Sequence, residues 1–189
     1  MKKLPENFIF MKVGQHAGED FERILARKRE EYRRAGMTFW GYGGPTCHPI
    51  TQIRPFVREV VARGGGLHLL MESMDSKADP DIVPATEYSE DGIVWKPLPN
   101  GIIVTGSRYA IVLGEIREEE LELPLHDYAV ALGRSEGRNA SQYLQGRVDK
   151  ACLSLDSSRA GAPEKPRLVQ IKYSAEVIEP YAVLLRGGD

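Results

Sequence analysis

The spacing of apolar residues divides the chain near residue 74. Before that point, short apolar runs alternate with stretches of helical periodicity. The run FIFMKV, Phe8 to Val13, ends at Gly14 and predicts a buried strand. In EDFERILARKREEYRRAG, Phe21, Ile24, Leu25, the Lys28 stem and Tyr32 fall on one helical face. Glu19 and Asp20 stand where the helix dipole favours anions, and Arg33 and Arg34 where it favours cations. Gly36 supplies the C-terminal stop. MTFWGY predicts a short strand, ITQIRPFVREVVARGGG a second helix and LHLLMESM a third strand. The second helix is expected to begin near Ile53, with Pro55 in its first turn, where a missing N–H costs little. Its apolar stripe is Ile53, Phe56, Val57, Val60 and Val61.

After Met74 the helical period is lost. DSKADPDIVPA reads as a polar loop. Turn signals at Glu90–Gly92 and Pro99–Gly101 then punctuate β-rich runs. ELPLHDYAVALG adds one or two strands, Ala140–Leu144 a short helix, and residues 168–189 two closing strands. The expectation is one α+β domain over residues 1–189, with a mixed or partly closed, barrel-like sheet and two main helices packed on it. Within it, residues 1–74 form a βαβαβ portion and 75–155 a hairpin-rich portion. Residues 156–167 read as a linker-like loop rich in Ser, Ala, Gly and Pro. Two crossover helices are too few for a three-layer parallel fold.

Composition narrows the classes. The net charge of −2 hides segments of +5 (residues 1–70), −9 (71–130) and +2 (131–189). That disfavours a globally basic nucleic-acid binder and leaves room for a local basic surface. Glu118, Glu119, Glu120 and Glu122 read as a solvated strand edge. The two cysteines, Cys47 and Cys152, read as free thiols, and no spacing resembles a zinc site. Asp75, Asp79 and Asp81 lack the glycine and terminal glutamate of a calcium loop. No metal and no cofactor are therefore expected. The chain has no apolar stretch of about 18 residues and no signal-peptide pattern at its start, so a cytoplasmic protein without membrane association is expected.

Candidate chemistry concentrates in residues 38–50, TFWGYGGPTCHPI. On a strand, Trp40 and Tyr42 share one face. Gly43 and Gly44 permit positive φ or close approach of a ligand to the main chain. Thr46 and His48 stand just before the second helix, whose free N–H groups point back at them. An aromatic platform, bare backbone and a helix N-terminus together suit a planar anion. The competing reading makes the aromatics core and the glycines, Pro45 and Pro49 a stiffened corner. Further along, TGSRYA interrupts a β run, so Ser107, Arg108 and Tyr109 sit at a bulge where a guanidinium can grip a carboxylate or phosphate. Arg134 and Arg138 lie among glycines in a basic loop that is not a P-loop, and Arg54 adds one more cation.

These residues predict a ligand-binding module for a planar anionic ligand: a nucleotide, modified base or nucleic acid. The alternative is a small hydrolase or transferase in which His48 works with His16 or Cys47. Cys47 and His48 are poor partners for each other, because neighbours on an extended chain point apart.

Overall fold

In the computed structural model of the protein, residues 3–43, 48–78, 83–146, 148–158 and 166–187 are described. The first portion runs β1 (Asn7–His16), α1 (Phe21–Ala35), β2 (Thr38–Gly41), α2 (Ile50–Ala62) and β3 (His68–Ala78). The hairpin β4 (Ala85–Ser89) and β5 (Lys96–Pro97) follows, then β6 (Tyr109–Pro124) and β7 (Tyr128–Val130). The short helix α3 (Ala140–Tyr143), β8 (Lys150–Leu155) and β9 (Leu168–Gly187) complete the chain. The architecture is a single α+β domain with an open, mixed sheet and two main helices. Strand order is β2-β6-β9-β3-β1-β8-β7, with β4 on β9 and β5 on β4. β1 and β3 pair in parallel; every other strand pairing is antiparallel.

α1 forms as its sequence dictates. The Asp20 carboxylate caps the Arg23 N–H at 2.9 Å, and Gly36, at φ 73°, donates its N–H to the Tyr32 carbonyl. α2 departs from expectation. It begins at Ile50 behind the extended Pro49, so Pro55 lies inside the helix and not in its first turn. Two further boundaries differ. β3 continues through Ala78, because its distal part still pairs with β1. The C-terminal segment is one long strand, β9, and not two. Leu113 pairs with Val177 and Ile111 with Ala182, so β9 bulges between Val177 and Ala182 without ending.

Both helices pack on one face of the sheet. Phe21, Ile24 and Leu25 of α1 and Ile53, Phe56 and Val57 of α2 close over Ile9, Val13, Trp40, Leu69 and Ile111. On the opposite face, Phe8 and Phe10 pack with Leu121, Leu123, Val169 and Ile171, contributed by the far halves of β6 and β9. A third cluster joins Phe39, Val112 and Val183 to Ile102 and Val104 of the irregular segment before β6. On β6 the exposed Glu115, Glu118, Glu120 and Glu122 share the strand with buried Ile116, Leu121 and Leu123. No helix among the described residues is long and apolar enough to cross a membrane.

Candidate functional site

A cleft of about 280 Å³ opens at the carboxyl ends of β1 and β3. Crevices outside the carboxyl ends of parallel strands are a recurrent place for ligands, because crossover connections leave those ends uncovered. Here a bulge enlarges the opening. Val13 pairs with Ser73 and Gln15 with Lys77, so β3 carries two extra residues beside Gly14. A Cβ at Gly14 would lie 2.2 Å from Ser76 Oγ and 2.6 Å from the Ser76 carbonyl oxygen, so the bulge demands glycine there.

The apolar lining includes Met11, Val13, Ile24, Trp40, Met74 and Val104. Polar groups come from several elements: His16, Ser76, Thr105, Ser107, Asp149 and Lys150, with Arg27 and Lys28 from α1. Lys150 stands in the wall with its Nζ 5.6 Å from the Tyr42 ring centroid and 3.8 Å from Asp149. His16 meets the Thr105 carbonyl through Nε2 at 3.3 Å. Lys12 is also a lining residue, but strand alternation sends its side chain to the face of Phe8 and Phe10, where Nζ donates to the Leu144 carbonyl. Burial, then the nearby Arg167, pulls the Lys12 pKa down.

The structure brings together part of the predicted set. Trp40, Gly43, Ser107 and His16 all line the cleft. Trp40 is only 3% exposed, and its Nε1–H points at Met11 Sδ, 3.1 Å away. Tyr42 does not reach the opening. It is fully buried behind the wall, and its hydroxyl lies against the Cys152 thiol. Gly43 has no positive φ. Glycine is required because a Cβ would sit 2.6 Å from the Tyr109 ring, so the site needs close packing and not a bare backbone. Tyr109 is likewise buried, its hydroxyl donating to the His48 carbonyl. Gly44, Thr46 and Cys47 lie outside the described residues.

The arginines predicted for the ligand do not line this cleft. Arg54 uses Nε and Nη2 to bind the Ala182 carbonyl, tying α2 to β9. Arg108, Arg134 and Arg138 are exposed and lie outside the cleft lining; Arg138 sits 5.9 Å over the Tyr143 ring. Sequence proximity to glycine or to a bulge said nothing about which way these side chains leave the surface. His48 is buried beside Gln52 and Gly133, away from the cleft, and burial lowers its pKa. Among the described residues, its Nε2 and Gln52 Oε1 are buried without a hydrogen-bond partner. His16 and His48 therefore do not share the cleft, and the proton-transfer pair of the enzyme reading is not assembled there.

Lys150, Arg27 and Lys28 are the cations that sequence reasoning did not assign to the site. A signal existed for Lys28: it occupies an apolar-stripe position of α1 and is 4% exposed. Lys150 closes the basic stretch that holds Arg134 and Arg138, but only its antiparallel pairing with Met11 places it at the cleft. Among the described residues no group of three or more His, Cys, Asp or Glu is placed to hold a metal ion.

Cys152 is fully buried on β8, and burial raises its thiol pKa far above the ordinary value. Native protein treated with iodoacetamide near pH 8 should keep Cys152 unmodified, whereas urea-unfolded protein should be alkylated there. Mass spectrometry of the Cys152 peptide checks this, and rapid labelling of native protein would contradict the burial.

No family model, no curated protein and no solved structure matches this chain.

Proposed function

We propose that the protein is a ligand-binding module whose cleft at the β1–β3 carboxyl ends takes a small planar anionic molecule, of mononucleotide size or less. One observation carries this reading. The cleft is lined by the apolar Met11, Val13, Trp40 and Met74 and by Lys150 and His16, with Ser76, Thr105 and Ser107 in the same lining. A flat ring packs against the first group, and an anionic substituent meets the second. The volume of about 280 Å³ lies just below the range of about 300–1,000 Å³ usual for ligand sites, which favours a free small molecule over a polymer.

Titration calorimetry with adenosine, uridine, cytidine and guanosine monophosphates, beside the corresponding nucleosides, tests the reading. A monophosphate is expected to bind, its nucleoside more weakly, and Lys150→Met to weaken the monophosphate by about tenfold, the loss of one charge-assisted hydrogen bond. Weakening by added salt should accompany it. Equal affinity of Lys150→Met and the parent protein would overturn the assignment of the anion to Lys150. Binding of a single-stranded oligonucleotide but of none of the monophosphates would point to the polymer instead.

A further inference from the structure

Residues 102–107 are mostly without regular secondary structure, yet Ile103 to Ser107 build one wall of the cleft. Both backbone groups of Ile103 are held by α1. Its N–H donates to Glu31 Oε1 at 3.1 Å. Its carbonyl accepts from Arg27 Nη1 at 3.0 Å and from Lys28 Nζ at 2.8 Å. These side chains also bind one another. Glu31 pairs with Arg27 at 2.9 Å and with Lys28 at 2.9 Å, and Arg27 pairs with Glu19 at 2.7 Å. β2 joins the same cluster: Thr38 Oγ1 donates to Glu31, and Lys28 Nζ donates to the Phe39 carbonyl. Three walls of the cleft thus meet at one ion cluster, in which the Glu31 side chain is 2% exposed.

We infer that this cluster is a clamp that sets the geometry of the cleft, with Glu31, Lys28 and Arg27 as positioning residues and not as ligand contacts. The inference rests on reading the cleft as a ligand site. Its warrant is hydrogen-bond saturation. The three N–H bonds of the Lys28 ammonium meet three acceptors, Glu31, Phe39 O and Ile103 O. Arg27 is divided between Glu19, Glu31 and Ile103. Lys28 therefore has no N–H left for an anion without breaking one of these bonds, and Arg27 has four of its five N–H bonds engaged. The clamp reaches the ligand through the segment it holds. Two residues beyond Ile103, the Thr105 carbonyl meets His16 Nε2, and the hydroxyls of Thr105 and Ser107 belong to the lining. Releasing Ile103 moves His16 and both hydroxyls relative to Lys150 on the other wall.

Residue-resolved hydrogen exchange on the full chain tests the clamp with no ligand present. Arg27→Met leaves the buried Lys28–Glu31 pair in place, so the variant is expected to fold. In the parent protein the Ile103 amide should exchange at least about 100-fold more slowly than a free peptide, because opening it requires local unfolding. Arg27→Met should speed Ile103 exchange by about tenfold while the amide of Leu25 in α1 stays protected, and Arg27→Lys should restore part of the protection. Adenosine monophosphate is the binding probe. Its affinity should fall about tenfold in Arg27→Met and recover in Arg27→Lys, since loss of preorganisation appears as lost affinity. An unprotected Ile103 amide in the parent protein, or unchanged exchange in Arg27→Met, overturns the clamp whether or not the nucleotide binds. Faster exchange with unchanged affinity overturns its positioning role. Failure of adenosine monophosphate to bind the parent protein counts against the ligand reading, and Ile103 exchange alone then decides the clamp.

Discussion

Replacing Glu31 by Ala should cost about 3–5 kcal/mol of stability, the range seen when one partner of a buried ion pair is removed. Glu31 sits in α1 with its side chain 2% exposed and gathers Arg27, Lys28, Thr38 and the Ile103 N–H. Without it, Arg27 keeps Glu19, but the Lys28 ammonium is left buried with carbonyl acceptors alone. The cost is the uncompensated charge, not the intrinsic worth of the pair. Lys28→Met combined with Glu31→Leu should therefore recover at least half of the loss, as measured by urea unfolding. A loss below about 1 kcal/mol in Glu31→Ala would show that water screens the cluster as it does a surface pair.

The same cluster gives stability a pH dependence of known sign. Burial is the largest influence on Lys28 and pulls its pKa from 10.5 down to about 8, against the opposing pull of Glu31. Between pH 8 and 10.5 the unfolded chain then holds the proton and the folded chain does not. Stability from this group rises with pH across that window, because the unfolded state binds more protons. Below pH 8 both states are protonated and the group contributes no slope. Lys28→Met removes the rise, so the parent and variant unfolding curves should converge in slope outside the window.

Replacing Trp40 by Ala should cost about 3–5 kcal/mol as well, by a different mechanism: deletion of a large buried ring and incomplete collapse of the cavity. Trp40 belongs to the main core between Met11, Val13 and Ile111 while also facing the cleft. In a chain of 189 residues that loss corresponds to a fall in Tm of about 10 °C. Binding by Trp40→Ala will fall together with stability, so the variant tests the core and not the ligand. Trp40→Phe, which retains a ring, should lose less than half as much. Lys150→Met is the informative change for binding. Lys150 stands in the cleft wall and makes its ion pair with its neighbour Asp149.

Much of the fold was legible in the residues themselves. The apolar stripe of α1 and its Gly36 stop are local properties: Phe21, Ile24, Leu25 and Lys28 are buried as expected, whereas Tyr32 is half-buried, Glu31 is buried in its place, and Asp20 caps the helix from just outside its first turn. The alternation of strands and helices up to residue 74, the hairpin at Glu90–Gly92 and the short helix at Ala140 follow from the same local rules. Errors fell where a partner element decides the outcome. Pro55 was placed by its own preference, while the entry of the chain from Pro49 set the start of α2. β9 reads as two strands in isolation, and its continuity comes from pairing with β6 on both sides of a bulge.

The site divides in the same way. Sequence alone drew attention to Trp40, Gly43, Ser107 and His16, because aromatics, glycines and polar residues at strand ends are unusual wherever they occur. Sequence also drew attention to Arg54, Arg108, Arg134 and Arg138, since guanidinium chemistry looks the same on a strut, an exposed turn or a ligand. Only the tertiary structure distinguished these roles. It sent Arg54 to the Ala182 carbonyl and left Arg108 on the surface, and through antiparallel pairing across β1 it carried Lys150 to the cleft. It also turned Lys28 from an apolar stem into a buried charge held by Glu31 and two carbonyls. Local structure depends on each residue's own conformational and solvation preferences, which the chain carries with it. A site depends on which residues meet across the sheet, and that is set by strand register and crossover, to which no short stretch of sequence has access.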